Sequence, residues 1–424
     1  MACLNALSAC EIARGVASGT FTAEAVTRDC LARIEERDNA VKAWAFVDPE
    51  LVLNQARAID RNGAKGALCG VPLGIKDIFD TFDMPTDMGS PIYRNNRTFA
   101  DASSVALARR AGAVILGKTM TCEFAGLTPN VTRNPMNLDH SPGGSSSGSG
   151  AAVADTMCAV AYGTQTGGSV LRPASFCGVV GYKPTYNLIA RSGIKFAAES
   201  RDTIGLLARN VDDIDLITSV LIAKPPSRVR DTPPRIGFCR THLWDHALPE
   251  SKHALEDSAR RLTAAGAHLR DVTLPERFSD LAEARTIVNP VERARSMAHE
   301  WNTNRALISP GLTRQIEEGL SIPYARYIES LQHMRECRDM LVDVFGDCDV
   351  LLAPCVTGEA PLGLASTGDT RFQEFWTALH TPAITLPTHK GPKGLPIGIQ
   401  LVGRLYEDDT LLSAARWASE RLAV

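Results

Sequence analysis

The sequence lacks the marks of several protein classes. No uninterrupted apolar run approaches the roughly 18 residues of a membrane span. The N-terminus, MACLNALSACEIARG, has no basic segment ahead of an apolar run, so we expect neither a membrane span nor export. The eleven cysteines are scattered without a CxxC pair, which predicts reduced, mainly buried thiols of a cytoplasmic protein. No histidine, cysteine or carboxylate cluster has metal-ligand spacing, so we expect no metal.

An excess of positive charge is also missing. The formal net charge is −3, and no basic patch stands out, so neither nucleic acid nor an anionic membrane is an expected partner. Hydrophobic residues make up 44% of the chain and charged residues 22%, which excludes a disordered chain, a coiled coil and a collagen-like fibre. The 424 residues are enough for a sizeable core.

Helical and strand patterns alternate along the chain, which is typical of an α/β fold. Strand patterns occur near both ends, for example at residues 43–47 (AWAFV) and 395–403 (LPIGIQLVG), and therefore favour one continuous domain over residues 1–424. Within it, residues 1–60 are predicted to form an N-terminal helical segment. Residues 240–345 are predicted to form a mostly helical insertion or lid.

Two glycine-serine segments are the most informative feature of the sequence. They are GGSSSGSG at residues 143–150 and GTQTGGSVLRP at residues 163–173. Glycines let the backbone approach a ligand and leave N–H groups open, and such N–H groups beside a serine suggest acyl transfer. A serine nucleophile needs a base, and no histidine occupies the position that a hydrolase-type triad requires. Lys76, which follows an apolar strand pattern, can act as a base if burial lowers its pKa.

Longer stretches around these segments resemble the amidase signature family. They are GGSSSGSGAAVAD and GTQTGGSVLRPASFCGVVGYKPT, and GVPLGIKDIFDT, DTIGLLARNVDD and GLPIGIQLVG also look like family segments in family order. The resemblance covers essentially the whole chain. It implies an α/β domain with a large mixed β-sheet sandwiched between helices. It also implies hydrolysis of the C–N bond of a small amide without a cofactor, in a protein that forms a homodimer.

The resemblance further implies a serine-serine-lysine triad. Lys76 would be the base, Ser145 a bridging serine preceded by a cis peptide bond, and Ser169 the nucleophile that forms an acyl-enzyme. The implied oxyanion hole consists of the backbone N–H groups of Thr166, Gly167, Gly168 and Ser169. We expect Ser146 and Gln165 to support the triad.

The second segment departs from the family pattern at two positions. The sequence has Gln165 where family members commonly have aspartate and Leu171 where they have arginine, with Arg172 one residue later. This arrangement looks like the malonamidase branch, in which the shifted arginine contacts a substrate carboxylate. We therefore hypothesise that Arg172 binds an anionic group with help from the hydroxyl of Thr164 or Thr166. An internal ion pair of Arg172 is the alternative.

Other functions remain open from the sequence. Urea-like or carbamate substrates fit the same triad, the chain could be the amidase subunit of a tRNA-dependent amidotransferase, and a catalytically silent binding protein is a third interpretation. We expect regions 295–335 and 366–382, the latter with Trp376 and His380, to supply the pocket walls.

The stretch GAVILGKT at residues 112–119 matches the pattern of a phosphate-binding loop. Its four central apolar residues, however, predict a buried strand, so we expect no nucleotide site.

Overall fold

Eleven strands form one mixed β-sheet in the computed structural model, which describes residues 3–230 and 232–422. The strands are β1 (Trp44–Phe46), β2 (Pro72–Lys76), β3 (Val114–Thr119), β4 (Val160–Gln165), β5 (Val180–Lys183), β6 (Thr203–Ala208), β7 (Arg235–Phe238), β8 (His268–Asp271), β9 (Val350–Pro354), β10 (Ala383–Lys390) and β11 (Pro396–Gly403). Their order across the sheet is β1-β3-β2-β4-β6-β5-β10-β11-β9-β7-β8. Strands from both ends of the chain therefore meet in the same sheet.

Strand β2 lies between β3 and β4 and runs parallel to both. The strands from β4 through β6, β5, β10 and β11 to β9 are antiparallel to their neighbours, whereas β9, β7 and β8 are parallel. Because β2 and β4 are parallel neighbours, their carboxyl ends lie at the same edge of the sheet. This arrangement brings the end of β2, at Lys76, close to the end of β4, at Gln165.

Helices flank the sheet, as predicted for this fold. They are α1 (Ala9–Ala17), α2 (Ala23–Val41), α3 (Pro49–Arg61), α4 (Ser103–Arg110), α5 (Ser147–Ala154), α6 (Leu171–Cys177), α7 (Val211–Leu221), α8 (Pro249–Ala264), α9 (Leu281–Ser296), α10 (Ala298–Thr303), α11 (Pro310–Ser321), α12 (Tyr324–Asp339), α13 (Leu341–Phe345), α14 (Arg371–Ala378) and α15 (Asp408–Leu422). The short helices α5 and α6 contact each other and strands β4, β5 and β11. Helices α7, α8 and α15 form a second group that also packs on the sheet.

Local sequence explains where the first helices begin. The Ser8 hydroxyl and the Glu11 carboxylate form a capping box at α1, and the Thr22 hydroxyl accepts a hydrogen bond from the Ala25 N–H at α2. Thr22 is therefore the N-cap of α2.

Residues 240–345 contain helices α8 to α13, of which α9, α11 and α12 pack together. They also contain β8, a four-residue strand that pairs with β7 at the edge of the sheet and that the helical pattern of this region does not reveal.

Within residues 3–230 and 232–422, no helix combines the length and the apolar character needed to cross a lipid bilayer. All eleven cysteines are free thiols, and nine of them are buried.

Candidate active site

Lys76 ends strand β2 in a fully buried position. Its Nζ atom lies 2.8 Å from the Ser145 hydroxyl oxygen, 2.8 Å from the Thr164 hydroxyl oxygen and 3.3 Å from the Thr164 carbonyl oxygen. Burial lowers the pKa of Lys76 from 10.5 to about 7, because the desolvated ammonium loses its hydration. The amine is therefore readily neutral near physiological pH.

The three contacts of Lys76 match the hydrogen-bonding capacity of a neutral amine. Such an amine has two N–H donors and one lone pair, and the Thr164 carbonyl oxygen can only accept. When the two N–H groups point to the two oxygen atoms of Thr164, the lone pair is left for the hydroxyl proton of Ser145. The arrangement can thus draw a proton from Ser145.

The first glycine-serine segment packs closely against neighbouring loops. The Gly144–Ser145 peptide bond is cis, and the Ser145 carbonyl oxygen accepts a hydrogen bond from the Cys122 N–H at 3.2 Å. A Cβ atom on Gly144 would lie 2.7 Å from the Thr367 Cγ2 atom and 3.0 Å from the Cys122 Sγ atom, so this position requires glycine. Helix α5 begins two residues later, at Ser147.

Ser169 lies in the second segment, between β4 and α6. Its carbonyl oxygen accepts a hydrogen bond from the Ser146 N–H at 3.2 Å, which joins the two glycine-serine segments directly. Among the described residues, its hydroxyl has no hydrogen-bond partner, and the side chain is half-buried at the wall of a cavity. The backbone N–H groups of Gly167, Gly168 and Ser169 also have no partner within residues 3–230 and 232–422. These backbone N–H groups are therefore available as hydrogen-bond donors next to the Ser169 hydroxyl.

Gln165 and Thr377 hold the loop that carries Ser169. The Gln165 side-chain oxygen accepts hydrogen bonds from the N–H groups of Val170 and Leu171 at 2.9 and 3.1 Å. Its amide nitrogen donates to the Thr377 hydroxyl at 3.0 Å, and that hydroxyl in turn donates to the Gly167 carbonyl oxygen at 2.8 Å. Helix α14, which carries Thr377, therefore fixes the orientation of the loop backbone.

The cavity beside Ser169 has a volume of about 50 Å³. Loops and helices α6, α9, α11 and α14 supply its walls. The lining residues are Ala125, Gly126, Leu127, Thr166, Gly167, Gly168, Ser169, Arg172, Ala197, Ala198, Asn289, Arg293, Gln315, Thr370 and Glu374. Within the described ranges, no group of histidine, cysteine or acidic side chains is arranged to hold a metal ion.

The sequence matches the family described as Amidase over residues 25–412. The chain belongs to the amidase family. Together with its relatives, this membership makes the protein an enzyme that acts on C–N amide bonds. The family match does not distinguish branches of the family, so the resemblance to the malonamidase branch stays a prediction.

Relatives of this amidase are similar along nearly their whole length. A glutamyl-tRNA(Gln) amidotransferase subunit from Geobacter sp. (strain M21) is 33% identical over 445 aligned residues, covering 92% of each chain. The protein of the same name from Nitratidesulfovibrio vulgaris (strain DP4) is 34% identical over 484 aligned residues, covering 100% of this chain and 98% of the relative.

Solved structures confirm the fold of this amidase. A crystal structure of an amidase superposes with a TM-score of 0.90 at 28% identity, covering 98% of this chain and all of the other. The 6-aminohexanoate cyclic dimer hydrolase gives a TM-score of 0.89 at 25% identity over 99% of this chain and 98% of that chain. The peptide amidase from Stenotrophomonas maltophilia gives 0.82 at 26% identity, covering 98% of this chain and 97% of that chain.

The amidase places two predicted substrate contacts differently from the expectation. The Thr164 hydroxyl faces Lys76 on the neighbouring strand, and Thr164 is not among the residues that line the cavity. The Thr166 hydroxyl donates to the Asp202 carboxylate. Each hydroxyl thus has a protein partner in the structure, and of the two threonines only Thr166 lines the cavity. Their help to Arg172 stays a prediction.

Arg172 is 2% exposed and lies at the cavity wall. Its guanidinium donates to the carbonyl oxygen atoms of Gly368 at 3.0 Å and Gly144 at 2.6 Å, and to the Thr367 hydroxyl at 3.1 Å, while Nε has no partner. Within the described residues it forms no salt bridge, so the internal ion pair considered as an alternative is not present. The hydroxyl of Ser146, which with Gln165 was predicted to support the triad, donates to the Thr164 carbonyl oxygen at 3.4 Å.

Only part of the cavity wall matches the regions predicted from the sequence. Gln315, Thr370 and Glu374 come from the two predicted regions, but Trp376 and His380 do not line the cavity. His380 instead stacks on Tyr186, with ring centroids 4.1 Å apart. Two further wall residues, Asn289 and Arg293, lie on α9 outside those regions. Sequence reasoning missed them because the amphipathic pattern of a helix does not reveal which distant loop its buried face contacts.

Proposed function

We propose that this amidase hydrolyses small amides through an acyl-enzyme on Ser169, with Lys76 as base and Ser145 as proton relay. The observation that carries the proposal is the 2.8 Å contact between the buried Lys76 amine and the Ser145 hydroxyl, next to the cavity that Ser169 lines. A serine hydroxyl is a weak nucleophile until a base accepts its proton, and a neutral lysine can be that base.

The reaction begins when the Ser169 oxygen attacks the amide carbonyl carbon. The Ser169 proton passes to the Ser145 oxygen while the Ser145 proton passes to the Lys76 nitrogen. Two O–H bonds break, and one O–H bond and one N–H bond form. The protons return along the same route to the leaving nitrogen, and an amine or ammonia departs. Water then attacks the ester carbonyl of the acyl-enzyme, releases the acid and restores Ser169.

Negative charge on the carbonyl oxygen develops during both attacks. The unpartnered N–H groups of Gly167, Gly168 and Ser169 are the donors available to stabilise it, and each donor in such a site is typically worth about 3 kcal/mol of barrier. The glycines are also needed for packing, because a Cβ atom on Gly167 would lie 2.7 Å from the Glu374 side chain. The oxyanion hole therefore depends on the close approach of α14.

We expect a small acyl group that carries a carboxylate. The cavity beside Ser169 has a volume of only about 50 Å³, and Arg172 at its wall is a cation without a salt-bridge partner among the described residues, which suits a carboxylate. Arg172→Ala should lower kcat/KM more for a carboxylated amide than for its neutral analogue. Equal losses on both substrates would remove Arg172 as a substrate contact.

The proposed chemistry is tested by labelling and hydrolysis together. A fluorophosphonate should label the wild-type protein at Ser169, and a panel of small amides, anilides, ureas and carbamates should reveal the acyl preference. Ser169→Ala should abolish both labelling and turnover, and Lys76→Ala should lower kcat at least about 100-fold. Ser147→Ala is the control: it changes a serine of the first glycine-serine segment, whose hydroxyl accepts a hydrogen bond from the Asn130 side chain, and it should retain activity. Labelling that survives in Ser169→Ala would refute the nucleophile.

A second candidate function is the amidase subunit of a tRNA-dependent amidotransferase. It is favoured by relatives named as amidotransferase subunits that are 29% to 34% identical across nearly the whole chain. One alignment spans 479 positions against 424 residues here, so that relative contains segments that this chain lacks. A stable complex with partner subunits and turnover that requires tRNA would establish this function. Amide hydrolysis by the isolated chain at an unchanged rate with tRNA would favour the free hydrolase.

A further inference from the structure

We propose that Arg293 and Arg172 bind the same substrate carboxylate from two walls of the cavity, so that Arg293 is a second determinant of specificity for anionic amides. This inference rests on the proposed function and extends it to a residue of helix α9. The two arginines come from distant parts of the chain, and both line the cavity that contains Ser169.

Arg293 is buried, with 4% of its surface exposed. One terminal nitrogen donates to the Phe124 carbonyl oxygen at 2.7 Å, whereas Nε is buried without a partner. Arg172 shows the same pattern, in which the terminal nitrogens contact backbone oxygen atoms and Nε is unpartnered. A buried N–H without an acceptor is costly, so each arginine is held at the cavity wall with part of its hydrogen-bonding capacity unused.

Neither cavity arginine has an acidic side chain in direct contact with its guanidinium. Among the described residues, neither Arg172 nor Arg293 forms a salt bridge, and the cavity-lining carboxylate of Glu374 is paired with Arg285. Asp202 and Glu123 act on Arg293 through their charges without forming a salt bridge with it. A substrate carboxylate in the cavity would supply a direct anionic partner.

Both arginines stay protonated in this environment. Burial lowers the pKa of each guanidinium to about 10, which is still well above neutral pH. Both guanidinium groups line the same small cavity beside Ser169, so a carboxylate bound there would lie in the electrostatic field of both. Two planar donors around one carboxylate would also orient the amide carbonyl toward Ser169.

The test compares a carboxylated amide with its neutral isostere of the same length. Arg293→Gln should lower kcat/KM for the carboxylated amide about 10- to 100-fold more than for the neutral one. Arg293→Lys keeps the charge but loses the planar fork, and it should recover part of that difference. Arg295→Gln is the matched control, because Arg295 lies on the same helix but is exposed and stacks on Tyr327. Equal losses on both substrates in Arg293→Gln would show that the residue only holds the Phe124 loop.

A double-variant cycle tests whether the two arginines share one carboxylate. If they do, the combined Arg172→Gln and Arg293→Gln substitutions should lose clearly less activity on the carboxylated amide than the product of the single losses. Losses that multiply would mean two independent sites and would overturn the proposal.

Binding of malonate and succinate, measured by calorimetry on the whole chain, separates this inference from the proposed hydrolysis. Arg293→Gln should weaken dicarboxylate binding at least about 10-fold, with no such change in Arg295→Gln. Dicarboxylate binding that depends on Arg293, without any Ser169-dependent turnover, would keep the anion site and reject the hydrolase. Turnover with dicarboxylate binding unaffected by Arg293→Gln would reject the anion site alone.

Discussion

Thr164 accepts two hydrogen bonds from the Lys76 amine, at its hydroxyl and at its carbonyl oxygen. The carbonyl contact belongs to the backbone of β4 and survives any substitution, whereas the hydroxyl contact can be removed. Strand β4 therefore orients the amine of β2 toward Ser145.

Thr164→Val should lower kcat about 5- to 10-fold, because one orienting hydrogen bond of roughly 1 kcal/mol is lost. The hydroxyl accepts more strongly from an ammonium than from an amine, so its removal should also lower the pKa of Lys76 further. The acid limb of the pH–rate profile should then move to lower pH, and Thr164→Ser should restore it. A lower kcat with an unmoved acid limb would contradict this role of the hydroxyl.

Activity should rise with pH through about 7 and then level off. The proposed reaction requires the neutral amine of Lys76, and burial lowers its pKa to about 7. The measurement is kcat/KM for a neutral amide between about pH 5 and 9, together with the rate of fluorophosphonate labelling, which needs no leaving amine. A profile that stays flat in this interval would contradict a lysine base.

The buried Lys76 amine should also make the free energy of unfolding depend on pH. Lys76 has its usual pKa near 10.5 in the unfolded chain and a pKa of about 7 when folded, so between these values the unfolded chain binds one more proton. The free energy of unfolding therefore rises with pH across this interval, by at most about 1.4 kcal/mol per pH unit from this residue. Lys76→Met should remove that part of the slope in urea unfolding between about pH 7 and 9. Identical slopes in both proteins would contradict the shifted pKa.

The Thr377 hydroxyl should act as a positioning group for the Ser169 loop. Thr377→Val removes its hydrogen bonds to Gln165 and to the Gly167 carbonyl oxygen, and kcat should fall about 10-fold. Thr377→Ser keeps the hydroxyl and should restore kcat. A loss confined to KM, or no rescue by serine, would argue against a role in orienting the loop backbone.

Lys118, in the stretch that resembles a phosphate-binding loop, should contribute to stability. It is fully buried and pairs with the Asp77 carboxylate at 3.1 Å, and it also donates to the Phe79 and Pro85 carbonyl oxygen atoms. Lys118→Met leaves Asp77 buried without its partner, which should cost about 3 to 5 kcal/mol in denaturant unfolding. The exposed Lys65→Met control should change stability by less than about 0.5 kcal/mol. ATP binding that depends on Lys118 would revive the nucleotide hypothesis.

Much of the fold could be predicted from local sequence. Alternating strand and helix patterns indicated an α/β sheet built from both ends of the chain, and the structure confirms a single mixed sheet. Strand β8 was missed because four residues of mostly exposed sequence, HLRD, carry no clear alternation. Its pairing depends on the neighbouring β7, which local propensity does not encode.

The sequence by itself identified the candidate catalytic residues, because their residue types and their neighbours along the chain indicate the chemistry. Lys76 follows an apolar strand pattern, and Ser145 and Ser169 lie in glycine-rich segments of the kind that allow close backbone approach, so their residue types and spacing could be read from the sequence. Only the tertiary structure decided what surrounds them. Arg293 lies on a helix that packs across the cavity, and Thr164 faces Lys76 because β2 and β4 are parallel neighbours. Contacts between residues far apart in the chain arise from packing of the whole sheet and its helices, which no local pattern specifies.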